Sequence, residues 1–185
     1  MTLIIIAAVI IIYFELSHSI SYRILKNRIL KRQKWDLNIC CGKTDGGGIN
    51  ADVAKHQEVP NFYLIEDIYN LPFKTGQFNT VLCSHTIEHV DDPERLFNEL
   101  KRVGRQVTIV TPPLYDITAA LNIFEHKYIF FSFKKEHQKL PGYARLPLAS
   151  FLHRHIGQIN NASANPLALF FSGRRMKQAK PGKRT

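Results

Sequence analysis

The chain opens with an apolar run that gives way to a basic one. Residues 3–14 are uninterrupted apolar sequence, and Glu15 is the only charged residue before Arg23. A helix that reaches Tyr22 would be about 33 Å long at ~1.5 Å per residue, enough to cross the hydrocarbon core of a bilayer. The sequence shows neither the positive start nor the small-residue cleavage site of a secretory signal. The pattern therefore predicts a single-pass transmembrane anchor over residues 1–22.

A basic segment follows over residues 23–34, with six Lys or Arg and no acid. Positive charge beside a membrane helix stays on the cytoplasmic side, so the rest of the chain is predicted to face the cytoplasm. Each Lys or Arg near an anionic leaflet adds about 1 kcal/mol of attraction. Tyr22, Leu25 and Ile29 give the segment one apolar face. We expect this segment to lie on the membrane surface.

Beyond residue 34 the pattern changes to short apolar runs separated by turns. Each run is rich in β-branched and apolar residues and is bounded by Gly, Pro, Asn or Asp, which is typical of buried strands. Five strands are predicted, over residues 37–41, 48–53, 62–66, 78–85 and 106–111.

The clearest helix lies between the fourth and fifth predicted strands. Asp92 is a good N-cap, Pro93 suits the first helical position, and Gly104 is placed to end the helix. A strand, a helix and a second strand form a crossover unit of a parallel sheet. The predicted fold class is therefore α/β, a doubly wound, mostly parallel sheet preceded by the membrane helix. The apolar face of the helix consists of Leu96, Phe97, Leu100 and Val103.

The pattern weakens after the fifth strand. The predicted domain runs from residue 35 to 173, and a basic tail, predicted to be disordered, follows over residues 174–185. Within the second half of the domain the sequence predicts helices over residues 115–124 and 146–155, an aromatic run at 128–133, and a late strand from Asn165.

The net charge of +10 lies in the two basic segments. Residues 35–173 between them hold 13 basic and 14 acidic side chains. This balance argues against a nucleic-acid-binding face on the folded domain. The three cysteines have no regular spacing, so we interpret them as buried thiols of a reducing compartment and expect no disulfide framework and no metal site.

The carboxyl ends of the predicted strands supply the candidate site, because ligands of open parallel sheets bind at that edge. A carboxylate after the second strand can accept two hydrogen bonds from a ribose diol, and one after the third can accept from an adenine amino group. There is no GxxxxGK[ST] phosphate loop, which favours a nucleoside over a triphosphate. The groups at these ends are the Cys40-Cys41-Gly42 turn, Asp52, the Glu66-Asp67-Ile68 corner and Ser84-His85.

These residues resemble a known family. The segment "LPFKTGQFNTVLCSHTIEHVDDPERLFNELKRV", together with "LNICCGK", "INADV" and "VTIVTPP", is similar to the class I S-adenosylmethionine-dependent methyltransferases that act on small molecules. The resemblance implies S-adenosylmethionine as the cofactor, with Asp52 on the ribose and Asp67 and Ile68 at the adenine. It also implies that Ser84 and His85 line the pocket beside the methionine part. Asn38, Cys40, Cys41 and Gly42 would pass under the sulfonium end.

The chain departs from the family pattern in its first turn. Asn38 and Cys40 stand where an acid and the first glycine are expected. The first helix is missing, because residues 43–48 are too short for it, and the second is reduced to residues 54–61. His85 and His89 are candidates for a general base, which methyl transfer needs when the acceptor is an OH, NH or acidic CH.

The primary hypothesis is a membrane-anchored methyltransferase with its domain on the cytoplasmic side. Because the chain is tethered, its acceptor is expected to be a small molecule or a lipid-like compound in or near the bilayer. The alternative is a catalytically inactive methyltransferase-like domain that acts as a membrane-bound interaction or assembly protein. A third hypothesis is a nucleotide- or sugar-handling enzyme on a similar sheet.

Overall fold

A computed structural model describes residues 1–155 of the 185-residue chain. It begins with one continuous helix, Thr2–Leu30, that is long and apolar enough to cross a membrane. This helix consists of α1 (Thr2–His18), a π-helical segment (Ser19–Leu25) and α2 (Lys26–Leu30). Most large apolar side chains of α1 are exposed, whereas Ser17, Ser21, Ile29 and Leu30 are buried. The first half of the helix therefore projects from the domain, and the second half packs on it.

The domain is built on one six-stranded sheet. Its strand order is β3-β2-β1-β4-β5-β7, and the first five strands are parallel, with β7 antiparallel at the edge. This confirms the mostly parallel α/β fold predicted from the sequence. The strands of the sheet are β1 (Trp35–Ile39), β2 (Gly47–Asp52), β3 (Phe62–Leu64), β4 (Phe78–Ser84), β5 (Gly104–Val110) and β7 (Glu136–His137).

The second half of the domain is less regular than the first. A two-stranded antiparallel sheet pairs β6 (Tyr128–Phe130) with β8 (Tyr143–Arg145). The helix predicted over residues 115–124 is only one turn long, α4 (Ile117–Ala120), and the helix predicted at 146–155 is α5 (Ala149–His155). The predicted late strand from Asn165 and the basic tail lie outside the described residues.

The two faces of the sheet are covered by different helices. Alternate side chains of a strand point to opposite faces, and β4 shows this directly. Val81 and Cys83 join the main core beneath α3 (Pro93–Val103), while Leu82 joins a second cluster. That second cluster consists of Ile29, Leu30, Trp35, Leu82 and Val110, so the end of the N-terminal helix covers the face opposite α3.

Helix α3 confirms the capping prediction at its start. The Asp92 side chain accepts a hydrogen bond from the Arg95 N–H at 2.9 Å, and Pro93 is the first helical residue. Gly104 ends the helix, but with φ −122° it is extended and starts β5 directly, so it is not a left-handed cap. An added Cβ at Gly104 would overlap a methyl group of Val81. Glycine is therefore required at position 104 because the end of α3 packs closely against Val81 of β4.

No helix lies in the connections β1–β2 (residues 40–46) or β2–β3 (residues 53–61), all of which are described. The prediction of a missing first helix is confirmed, whereas the predicted short second helix is wrong. A right-handed crossover from β1 to β2 would place its helix on the face opposite α3, because these strands run the other way across the sheet from β4 and β5. The face of β1 and β2 opposite α3 must therefore be shielded from water by another part of the chain.

Two buried asparagines hold the short loop in place of the helix. Asn38 Nδ2 donates to Asn50 Oδ1 (3.0 Å) and to the Thr44 carbonyl (2.9 Å). Asn50 Oδ1 also accepts from the Gly46 N–H, and its Nδ2 donates to Asp45 Oδ1 at 2.9 Å. A Cβ at Gly46 would lie 2.6 Å from Asn38 Cβ, so the loop lies directly on β1.

We expect Asn50→Ala to lower the free energy of unfolding by about 2–4 kcal/mol, because it leaves several buried donors and acceptors without partners. The measurement is denaturant unfolding of the full chain in detergent, followed by circular dichroism. Asn79→Ala is the matched control, since Asn79 is exposed, and should change stability by about 0.5 kcal/mol or less. Equal effects of the two substitutions would contradict a structural role for the amide pair.

Candidate functional site at the carboxyl edge of the sheet

The candidate residues from the sequence lie at one edge of the sheet. Strand order reverses between β1 and β4, which are neighbours, and this switch point is where open α/β sheets bind ligands. Because the strands are parallel, the carboxyl ends of β1, β2, β3 and β4 meet there. The topology therefore brings together the turn after β1, Asp52, the corner at Asp67 and the Ser84-His85 pair.

The turn after β1 keeps a glycine-like backbone at a residue that is not glycine. Cys40 has φ +51° and Gly42 has φ +55°, both in the left-handed region. For a residue with a Cβ this conformation costs roughly 1–2 kcal/mol. No atom lies within 4 Å of the position that a Cβ of Gly42 would occupy, so the turn faces open space there. The turn has thus kept its backbone shape although Cys40 stands in the place of the expected glycine.

Asp52 joins the ends of the first two strands. It is only 5% exposed, its Oδ2 accepts the Gly42 N–H at 2.8 Å, and its Oδ1 accepts the Val53 N–H at 2.7 Å. An ionised carboxylate has about four acceptor positions, so each oxygen keeps room for a further donor. The hydrogen bond from the Gly42 N–H therefore holds Asp52 in place beside the turn, where a ligand would bind.

The corner after β3 presents one exposed acid and one apolar side chain. Asp67 is exposed, and its Oδ1 accepts the Tyr69 N–H at 2.8 Å, which orients the carboxylate. Ile68 is half-buried and packs against the main core. An oriented acceptor beside an apolar wall is chemically suited to the edge and face of an aromatic base.

The end of β4 is unusually rich in buried polar atoms. His85 has φ +52° and its N–H donates to the Val110 carbonyl at 2.8 Å, which ties it to the end of β5. Ser84 Oγ, His85 Nε2 and Thr111 Oγ1 are buried and have no hydrogen-bond partner among the described residues. Burial, with Lys135 and Lys26 nearby, holds the pKa of His85 well below its usual value.

Several charged residues of this region escaped the sequence analysis. Glu88 is 1% exposed, and its Oε1 lies 3.3 Å from His85 Nδ1. Lys135 is 5% exposed, and its Nζ donates to Ser21 Oγ of the N-terminal helix at 3.0 Å. Burial lowers the pKa of Lys135 to about 7, although Glu88 opposes that shift. Glu88 could have been identified from the sequence, because it lies beside His89 in the segment that resembles the methyltransferases. Lys135 lies in a region without hydrophobic periodicity, so there was no reason in the sequence to select it.

The N-terminal helix forms part of this site. The Tyr22 ring contacts the His85 ring edge-on, with 5.1 Å between their centroids. His18 Nδ1 lies 3.2 Å from a carboxylate oxygen of Asp116, which is 1% exposed and also caps α4. These contacts place the helix across the carboxyl ends of β4 and β5.

Asn38 and Cys41 have structural partners. Asn38 is 1% exposed and its Nδ2 is committed to the loop, while Cys41 is 3% exposed and packs in the core. Burial raises the pKa of Cys41 to about 11 and that of Cys83 to about 12. Burial also raises the pKa of Cys40 well above its usual value. All three side chains therefore stay protonated at neutral pH.

We expect iodoacetamide at pH 8 to alkylate the three cysteines slowly in the folded chain, because a thiol with a pKa near 11 is only about 0.1% thiolate there. Mass spectrometry of labelled peptides measures the rate at each site. The same chain in concentrated urea is the control and should react at the rate of an ordinary thiol. Rapid labelling of Cys41 or Cys83 before unfolding would contradict their burial.

A family model matches part of the chain. Residues 43–109 match the family model described as a methyltransferase domain. This segment contains Asp52, Asp67, Ser84 and His85, and begins one residue after Gly42. The resemblance to methyltransferases seen in the sequence is thereby confirmed over this segment.

One solved structure illustrates the extent of the likeness to known folds. The YcgJ protein from Bacillus subtilis is 18% identical, with a TM-score of 0.38. The aligned region covers 54% of this chain and 58% of that protein, so the chain spans little more than half of its length. No curated protein matches the chain.

Proposed function

We propose that this chain, with its methyltransferase-domain segment, transfers a methyl group from S-adenosylmethionine to a membrane-associated acceptor. The observation that carries the proposal is the meeting of Asp52, the oriented Asp67 and the buried polar atoms of Ser84 and His85 at the switch point of the sheet. The matched segment contains all four of these residues.

The residues present fit S-adenosylmethionine. Asp52 keeps acceptor positions for the ribose hydroxyls, and Asp67 with Ile68 suits the adenine. The open space at Gly42 allows the backbone of the turn to approach a ligand, which a side chain there would prevent. Ser84 Oγ, buried and without a described partner, is a hydrogen-bonding group for the methionine part.

The protein's own part in the reaction is positioning and proton removal. S-adenosylmethionine supplies an electrophilic methyl group on a sulfonium, and alignment of the two reactants can provide roughly 7–11 kcal/mol of the barrier. His85 lies at the end of β4 with Nε2 buried and without a described partner, so it is placed to take a proton from a hydroxyl or amine acceptor. His89 stays the second candidate base, because its Nδ1 donates to the Glu125 carbonyl at 2.8 Å and its Nε2 is therefore the basic ring nitrogen.

The decisive test is ligand binding by calorimetry on the full chain in detergent, with S-adenosylmethionine and S-adenosylhomocysteine. We expect both to bind, and Asp67→Asn to weaken binding about 10-fold, because one hydrogen bond to a carboxylate contributes about 1.5 kcal/mol. Glu66→Gln is the matched control, since Glu66 is the adjacent exposed acid and loses the same charge. Its affinity should equal that of the wild type.

The contrary outcomes separate the hypotheses. If neither ligand binds at high micromolar concentration, the enzyme proposal fails and the alternative of an inactive, interacting domain is favoured. Cys40 in the left-handed region and the missing first helix are the two observations that favour this alternative. If E66Q weakens binding as much as D67N, the effect is general electrostatics and Asp67 has no specific role.

Membrane attachment through the N-terminal helix is the second part of the proposal. Residues 2–16, whose large apolar side chains are mostly exposed, give about 22 Å of helix at ~1.5 Å per residue. This is shorter than a bilayer core of about 30 Å. Because Ser17 is already buried against the domain, insertion of the exposed part would hold the domain directly against the membrane surface.

The region next to the helix supports this arrangement. The Tyr13 hydroxyl donates to the Tyr115 carbonyl at 3.2 Å, and α1 contacts α4. On and after α4, the side chains of Ile117, Leu121 and Phe124 are exposed. An apolar surface that continues from a membrane helix onto the domain favours a lipid-like acceptor, which could reach the site without leaving the bilayer.

We expect replacement of Ile5, Val9 and Ile12 by Lys to release the full chain from membranes, because each Lys costs roughly 2.5–3.5 kcal/mol in the hydrocarbon region. All three side chains are exposed, so the fold should persist. The measurement is sedimentation of membranes after expression. The control replaces three exposed domain residues, Gln57, Asn79 and Gln138, by Lys and should remain in the pellet. Continued sedimentation of the helix variant would defeat the anchor proposal.

A further inference from the structure

We propose that Glu88, His89 and His126 form a binding site for one divalent transition metal ion of the zinc class. The three residues offer ligand atoms that all lie within 4.8 Å of one another, and Glu88 Oε1 is 4.0 Å from His89 Nε2. The two imidazole rings meet edge to face, with centroids 4.7 Å apart. The proposal goes beyond methyl transfer, because metal binding does not require the cofactor.

A backbone carbonyl orients His89 in the manner of a metal ligand, and His126 offers a buried ring nitrogen. His89 Nδ1 lies 2.8 Å from the Glu125 carbonyl, which can only accept, so Nδ1 carries the hydrogen and Nε2 bears the lone pair. His126 is 5% exposed, and its Nδ1 is buried without a hydrogen-bond partner in the described chain. Metal-binding histidines almost always donate their second ring nitrogen to such an acceptor.

Glu88 supplies the anionic ligand. It is 1% exposed, and neither carboxylate oxygen has a hydrogen-bond partner within residues 1–155. A buried carboxylate without partners is costly. The neighbouring cation Lys135 donates to Ser21 Oγ and not to Glu88. The Glu88 carboxylate therefore receives no hydrogen bond from Lys135. A metal ion held by both histidines would compensate the negative charge of Glu88.

The donor set indicates which ion would bind. Two imidazoles and one carboxylate suit zinc, which in catalytic sites takes three protein ligands and leaves a fourth position for water or substrate. His85 Nδ1 lies 3.3 Å from Glu88 Oε1, so the metal would lie close to the candidate base. If the proposed methyl transfer is correct, the fourth position is suited to a hydroxyl of the acceptor, and this last step rests on that proposal.

The experiment titrates ZnCl₂ into the full chain, purified without a histidine tag and stripped with chelator, by calorimetry in detergent. We expect one ion per chain, and a loss of affinity of about 100-fold or more in His126→Ala and in Glu88→Gln. His155→Ala is the matched control, because His155 is exposed and outside the cluster. Cobalt absorption spectra then report the ligands, and they should show tetrahedral nitrogen and oxygen coordination without thiolate bands from the cysteines.

The outcomes decide the proposal separately from the enzymatic one. Absence of zinc binding at about 100 μM, or unchanged binding in both H126A and E88Q, would overturn it. Circular dichroism melting of each variant shows whether it is folded, and if H126A unfolds, the result from E88Q decides. S-adenosylhomocysteine binding is measured on the same samples. A chain that binds this ligand but no zinc loses only the metal site, and the reverse result removes only the cofactor site.

Discussion

The structure depends on how the sheet face opposite α3 is kept from water. A doubly wound sheet normally covers that face with the helix between its first two strands, and this chain has only the short connection of residues 40–46 there. Two other features take over. The Asn38–Asn50 amide pair holds the loop flat against β1 and β2, and the end of the N-terminal helix covers Leu82 and Val110. The helix that would contact the membrane is therefore also part of the core.

This double role explains the polar cluster at the carboxyl ends of β4 and β5. The π-helical segment brings Ser21 and Tyr22 over His85 and Lys135, and buries charges that a shorter helix would leave in water. Buried charges without good partners are costly, so their retention favours a function. The site therefore belongs jointly to the sheet and to the helix.

The sequence predicted the parts of the fold that depend on local pattern. The five parallel strands and α3 follow from apolar runs and from the Asp92-Pro93 cap, and Asp52 and Asp67 follow from the meeting of parallel strand ends. Long-range packing could not be predicted. Asn38 in the place of an expected acid pairs with Asn50, twelve residues away, and Lys135 meets Ser21 across 114 residues. His126 lies in a region without periodicity, so nothing in the sequence joined it to Glu88.

The proposed cofactor site lies at the carboxyl edge of the sheet in this shortened fold. Hydrogen–deuterium exchange of the full chain, with and without S-adenosylhomocysteine, tests this claim most directly because it locates the bound ligand. We expect slower exchange in residues 40–46, 65–69 and 84–89, and no change in residues 74–79 at the opposite edge of the sheet. Protection confined to residues 74–79, or no protection at ligand concentrations that saturate binding, would contradict it.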